Sequence, residues 1–241
     1  VLVIGIKSDL GNIRNLNEDY AEFYEDENYK VCVLADGMGG HNAGEIASKA
    51  ATKALIKYIK DNVDTYNTKE LLENAVKYAN IKVFNLSHCS DTYTGMGTTL
   101  VVCLITKEKT LIANIGDSSC YGIKDDKIVK ITKDHSLVQE LVDCGSISFE
   151  QAINHPQKNV ITRAIGTEED VEVDIFEIRK DEYDYFLMCS DGLSNEVDLD
   201  NIKSFNIEEK ELQNICEKLV ESAKFNGGRD NITVMLFGGE V

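Results

Sequence analysis

Apolar runs of strand type follow one another in this chain with no helix between them, and that order excludes most folds. Residues 98–106 and 110–115 form one such pair, and residues 171–178 and 183–189 another, all rich in Val, Ile, Leu, Tyr and Phe and bounded by turn residues. Runs at 30–35 and 232–237 have the same character. Strands joined by a few residues pair antiparallel, because a parallel neighbour needs a crossover of a dozen residues or more. Three amphipathic helices are expected apart from these pairs. The first spans about 43–60, with Ala43, Ile46, Ala47, Ala50, Ala54, Leu55, Tyr58 and Ile59 at three- and four-residue steps. The second spans about 69–86, on Leu72, Ala75, Val76, Ala79, Val83 and Leu86, and the third about 208–225, on Leu212, Ile215, Leu219 and Ala223. The pattern predicts an α+β protein with two antiparallel sheets stacked face to face, each covered by helices that bury a single stripe.

A single domain over 1–241 is expected, since Pro156 is the only proline and no Pro-, Ser- or Gly-rich stretch interrupts the chain. Residues 137–163, which lack strong periodicity, read as a flap-like surface insertion, and long irregular segments of this kind are often functional. The seven cysteines are an odd number with no C-x-x-C pair, which disfavours a disulfide framework or a zinc ribbon and suits a reducing cytoplasm. No apolar run approaches the roughly 20 residues of a membrane span, and residues 1–6 are too short for a signal peptide. The chain opens at Val1 in place of Met, so a processed or trimmed form is expected. A net charge of -17 opposes nucleic acid, whose phosphates demand Lys and Arg. Most of the 42 carboxylates serve solubility; the chemistry, if any, lies in a few.

Two segments share one design. KVCVLADGMGG carries a buried-type strand onto Asp36-Gly37, and DYFLMCSDGLS carries another onto Asp191-Gly192. NGGRDNITVMLFG runs in the other sense, with Asp230-Asn231 ahead of its strand. If these strands are neighbours, three carboxylates meet at one edge of the core. Such a group resists ionisation unless a cation sits among it, and oxygen donors select Mg²⁺, Mn²⁺ or Ca²⁺. Asp-Gly is also a common turn dipeptide, so spacing alone leaves the plain-turn reading open. Near the N-terminus, SDLGNIRNLNEDY places Arg14, Glu18 and Asp19 together. They form either a solvated charged loop or an arginine fork for phosphate beside acids that orient metal-bound water.

RNLNED, ADGMGGH, GDS, DHS, SDG and GGRDN occur in this order. Each is weak alone, but the ordered set, spanning essentially the whole chain, resembles the bacterial branch of the PPM family, the type 2C metal-dependent protein phosphatases. The resemblance implies a four-layer αββα sandwich and hydrolysis of phosphoserine and phosphothreonine in proteins by a hydroxide bridging two Mn²⁺ or Mg²⁺ ions. Asp36 matches the bridging aspartate, Gly37 the glycine that gives its carbonyl to one metal, and Asp191 and Asp230 the ligands of the other. Asp19 would act through water, and Asp117 of GDS matches a ligand of a third, weaker metal that shares Asp191. Arg14 matches the phosphate-binding arginine and His41 the general acid. Ser119 departs from the GDSR of many relatives, which puts a structural contact of the missing arginine in doubt. Phosphorylated proteins, substrates of a cognate kinase, are the implied partners of a cytoplasmic monomer. The runner-up is a non-catalytic phosphatase-like binding module, whose mark would be a broken ligand set. A calcium-binding structural protein is disfavoured, because no D-x-D-x-D-G loop is present. His135, His88 and His155 read as structural or surface residues.

Overall fold

The structure, a computed structural model, describes residues 3–39, 43–125, 127–199 and 211–238. Among the described residues, eleven strands form two sheets whose pairings are all antiparallel. One sheet runs in the order β1 (Ile4–Asp9), β11 (Ile232–Gly238), β10 (Tyr185–Cys189), β7 (Ser119–Lys124), β8 (Lys127–Lys130). The other runs β2 (Asp19–Glu25), β3 (Tyr29–Met38), β5 (Leu100–Thr106), β6 (Thr110–Ile115), β9 (Asp174–Ile178), with the short β4 (Gly97–Thr98) on the end of β3.

The alternation of side chains along each strand builds the layers. From β3, Val31, Val33 and Ala35 pack against helices α1 (Ala43–Asn62) and α2 (Thr68–Ser87), while Cys32 and Leu34 face the other sheet. From β10 and β11, Leu187, Cys189, Val234 and Leu236 pack against α6 (Leu212–Phe225), while Phe186, Met188, Met235 and Phe237 fill the space between the sheets. Strands buried on both faces read as continuous apolar runs, which is why these were legible. The result is the expected four-layer order, helix, sheet, sheet, helix.

Three details depart from the expectation. The buried line of α1 is rotated by about one residue and includes the polar Ser48 and Thr52, so that Ile46, Ala50, Ala54 and Tyr58 sit at its margin. Ser48 repays its burial by donating to the Glu18 carbonyl at 2.7 Å, which ties α1 to the segment preceding β2. Residues 137–163 are not featureless: they carry α3 (Leu137–Asp143) and α4 (Phe149–Ile153), capped by Ser136 and Ser148. Residues 171–178 and 183–189 do not pair with each other: β9 joins β6 in one sheet, while β10 joins β7 and β11 in the other, so the short link between them crosses from sheet to sheet. The start of the third predicted helix, 208–210, lies outside the described residues. All seven cysteines are free, five buried and two exposed. No described helix is long and apolar enough to cross a membrane.

Candidate metal centre

Five aspartates from both sheets collect at one end of the sandwich. Asp36 lies within β3 and is in register with Asp19, the first residue of β2. Asp191 opens the short helix α5 (Asp191–Ser194) two residues after the end of β10, Asp230 precedes β11 by two residues, and Asp117 lies in the turn between β6 and β7. The strand-end design therefore holds for Asp191 and Asp230, whereas β3 continues past Asp36 to pair with β4.

Their electrostatics show that they sense one another. The Asp36 carboxyl is pushed well above the usual carboxylate range, first by burial and then by Asp19, Asp191, Asp117 and Asp230. Burial raises Asp19 to about 7, with Asp191 and Asp230 adding to the effect and the Thr233 and Ser190 hydroxyls opposing it. Asp117 rises to about 8 through burial, Asp191 and Asp134. Asp191 rises to about 6 through burial and Asp230, against the pull of Arg14 and Lys158. Asp36, Asp19, Asp117 and Asp191 thus stand in surroundings made unfavourable for their charge first by burial and then by neighbouring carboxylates.

One oxygen of Asp19 accepts from Ser190 Oγ at 2.8 Å; the other is buried with no hydrogen-bond partner among the described residues. An orphaned buried carboxylate oxygen is costly unless something electropositive or a water reaches it. Among the described residues no three carboxylate, imidazole or thiol groups close around a single point. A set spread in this way leaves room for water among the ligands, as ions that stay partly hydrated require, and is not a closed all-protein cage.

The supporting contacts are mostly backbone. Gly37 N donates to Glu18 O at 3.1 Å, and a Cβ at Gly37 would collide with the backbone of Gly44 at the start of α1. Asn231, the last residue of GGRDN, is a staple: its Oδ1 accepts Glu18 N at 2.9 Å and its Nδ2 donates to the carbonyls of Leu10 and Leu16 at 3.0 and 2.9 Å. That fastens the loop carrying Arg14, whose Nη2 is 2.8 Å from Asp230 Oδ2 with half of the side chain exposed. Asn195 Nδ2 donates to Asp191 Oδ2 at 3.0 Å, and Lys158 Nζ donates to Asn195 Oδ1 at 3.2 Å. Ser119 is buried, and nearby Asp134 takes Lys130 on both oxygens, at 2.7 and 2.8 Å. His41 lies outside the described residues. A groove of about 660 Å³ leads from Asp117 and Asp191 between α3, α4 and the segment after α5.

The family model for protein phosphatase 2C matches residues 14–226. The chain belongs to the protein phosphatase 2C family. It is 37% identical over 234 residues to the serine/threonine phosphatase stp of Listeria welshimeri, covering 95% of this chain and 93% of that one. The solved serine/threonine phosphatase PstP/Ppp of Mycobacterium tuberculosis superposes with a TM-score of 0.89 at 36% identity, over 100% of both chains. A catalytic domain of PstP solved in complex with two manganese ions superposes with a TM-score of 0.85 at 34% identity, over 99% of this chain and 98% of that one. The chain is a protein phosphatase, and the family and fold implied by its ordered motifs hold.

Proposed function

We propose that this phosphatase hydrolyses phosphoserine and phosphothreonine in proteins with the help of two Mn²⁺ or Mg²⁺ ions. The observation that carries the reading is the set of mutually repelling carboxylates, one with a buried and unpartnered oxygen, at the edge where the motifs of the family converge. Asp36 would be common to both ions, the Gly37 carbonyl would serve one, and Asp191 and Asp230 the other. Asp19 would act through water, and a weaker third ion would sit beside Asp117 and Asp191. Divalent ions at such a site lower the pKa of water into the neutral range and offset the charge of phosphoryl oxygens.

The chain's own groups do the rest. Arg14, anchored by Asp230, brings a fork of donors suited to the phosphoryl oxygens. His41 would give its proton to the departing serine or threonine oxygen. No covalent enzyme intermediate is required. The -17 net charge would repel a phosphoprotein, and bound divalent ions invert the field where the phosphate lands. The ligand set is unbroken, which favours an enzyme over a binding module. The seven free thiols suit a reducing cytoplasm, where this reading places a monomer, built as one catalytic domain with 137–163 as its flap, acting on the substrates of a cognate kinase.

One experiment tests the chemistry and the proton donor together. Purified protein with excess Mn²⁺ should release phosphate from phosphoserine and phosphothreonine peptides and from p-nitrophenyl phosphate, and a chelator should stop both. His41→Ala should lose about 10² or more on the peptides and much less on p-nitrophenyl phosphate, whose leaving group barely needs a proton. No release by the wild type with Mn²⁺ would refute the activity; an equal loss on both substrates in the variant would refute the role of His41.

A further inference from the structure

His135 is buried, and the chemistry above makes no use of it. Its ring nevertheless joins three parts of the fold. Nδ1 accepts the backbone N–H of Gly116 at 3.1 Å, while the His135 N–H donates to the Gly116 carbonyl at 2.9 Å. Nε2 stands 3.2 Å from Asp174 Oδ2 and 3.1 Å from Arg163 Nη1, and Arg163 Nη1 also donates to Asp174 Oδ1 at 2.8 Å. A backbone N–H can only donate, so Nδ1 is an acceptor and the proton of the neutral ring is on Nε2, where Asp174 receives it. Burial holds the ring below the ordinary histidine pKa, against the pull of Asp174.

Gly116 is gripped on both its polar groups, and its φ of +100° with Thr99 packed against it leaves it little alternative. The next residue is Asp117. Beyond it, Ser118 Oγ is 2.7 Å from Thr99 Oγ1, and that same oxygen accepts the backbone N–H of Asp36 at 2.9 Å. Thr99 in turn donates its own N–H to the Asp36 carbonyl at 2.8 Å. Asp117 is therefore held from both sides, and one of the two holds is shared with Asp36.

We propose that His135 is a positioning residue: through the Gly116 N–H it fixes the turn 116–118, and so sets where the Asp117 carboxylate stands relative to Asp36 and Asp191. The proposal rests on the reading of that edge as a cation site. It assigns the role to Nδ1 in particular, and leaves Asp174, which accepts from Nε2 and is itself held by Arg163 Nη1, as the support that orients the ring.

Two amides separate the two ring nitrogens. Asn places an oxygen near Nδ1 and keeps an acceptor for Gly116; Gln reaches toward Nε2, keeps a partner for Asp174 and Arg163, and leaves the Gly116 N–H unpaired. Cation-free wild type, His135→Asn, His135→Gln and Arg163→Gln are titrated with Mn²⁺ by calorimetry, with melting curves in chelator as the control for folding. The weakest-bound ion should keep its affinity within about threefold in His135→Asn and Arg163→Gln and lose roughly tenfold or more in His135→Gln, the usual effect of removing a group behind a metal ligand. The tighter ions should be little changed. Wild-type affinity in His135→Gln, or a loss in His135→Asn equal to that in His135→Gln, overturns the assignment. So does a tenfold loss in Arg163→Gln, which is the decisive comparison if either histidine variant fails to fold. A wild type that binds no Mn²⁺ at all removes the cation reading itself, a result distinct from these.

Discussion

Asp36→Asn is expected to reduce phosphate release by about 10³ or more while making the cation-free protein more stable. Asp36 is central to the set: it lies opposite Asp19 in the strand register and feels Asp19, Asp191, Asp117 and Asp230 at once. Its backbone is independently fixed, with its N–H on Thr99 Oγ1 at 2.9 Å and its carbonyl taking Thr98 Oγ1 at 2.9 Å and Thr99 N at 2.8 Å. Asparagine preserves volume and these bonds and removes only the charge. In the folded, cation-free protein the raised carboxyl must hold a proton that the unfolded chain would release near neutral pH, and that costs about 1.4 kcal/mol per pKa unit. Relieving one unit corresponds to roughly 3–6 °C for a chain of this size, and the gain should grow as pH rises. Turnover of p-nitrophenyl phosphate and calorimetric melting in chelator check both halves. A variant that keeps a tenth of the activity, or melts below the wild type in chelator at pH 8, contradicts the account.

The second large effect concerns pH and has an unusual sign for acids. Asp191, Asp19 and Asp117 titrate at about 6, about 7 and about 8 in the folded protein, all raised from the usual 3.8 by burial and then by neighbouring carboxylates. Groups raised on folding bind protons more tightly in the native state. Their contribution to stability is fully present below about pH 4 and is lost as pH rises through 6 to 8. In chelator, therefore, these groups lower the melting temperature between pH 5.5 and pH 8. Millimolar Mn²⁺ should reverse the trend, because it favours the ionised form. Stabilisation by Mn²⁺ should be small at pH 5.5 and several degrees larger at pH 8, and binding at pH 7 should release protons, visible as a calorimetric enthalpy that depends on the ionisation heat of the buffer. Equal stabilisation at both pH values, with no buffer dependence, contradicts the account.

The parts of the fold that could be read from sequence were those buried on both faces or carrying a wide apolar stripe: β3, β5, β6, β10, β11 and the three long helices. Strands β1, β2, β7 and β8 were not, since they mix charged and apolar residues and three of them, β1, β2 and β8, are edge strands, where one side meets water. The short helix α4 was in principle readable, because Ser148 and Gln151 form a capping box, a signal of the S-x-x-Q type. At the site, Asp36, Asp191 and Asp230 announced themselves as aspartates next to long apolar runs, although β3 continues past Asp36. Asn231, Ser190, Thr99 and His135 did not, since their contacts are with partners as far as 221 residues away in sequence.

Crystals grown with Mn²⁺ and measured for anomalous scattering test the claim most directly that divalent ions reconcile these carboxylates. Two strong peaks should lie beside Asp36, both within ligand distance of about 2.1 Å from its oxygens, one shared with the Gly37 carbonyl and the other with Asp191 and Asp230. Peaks elsewhere in the molecule, or an Asp36 carboxylate that touches neither ion, would contradict it.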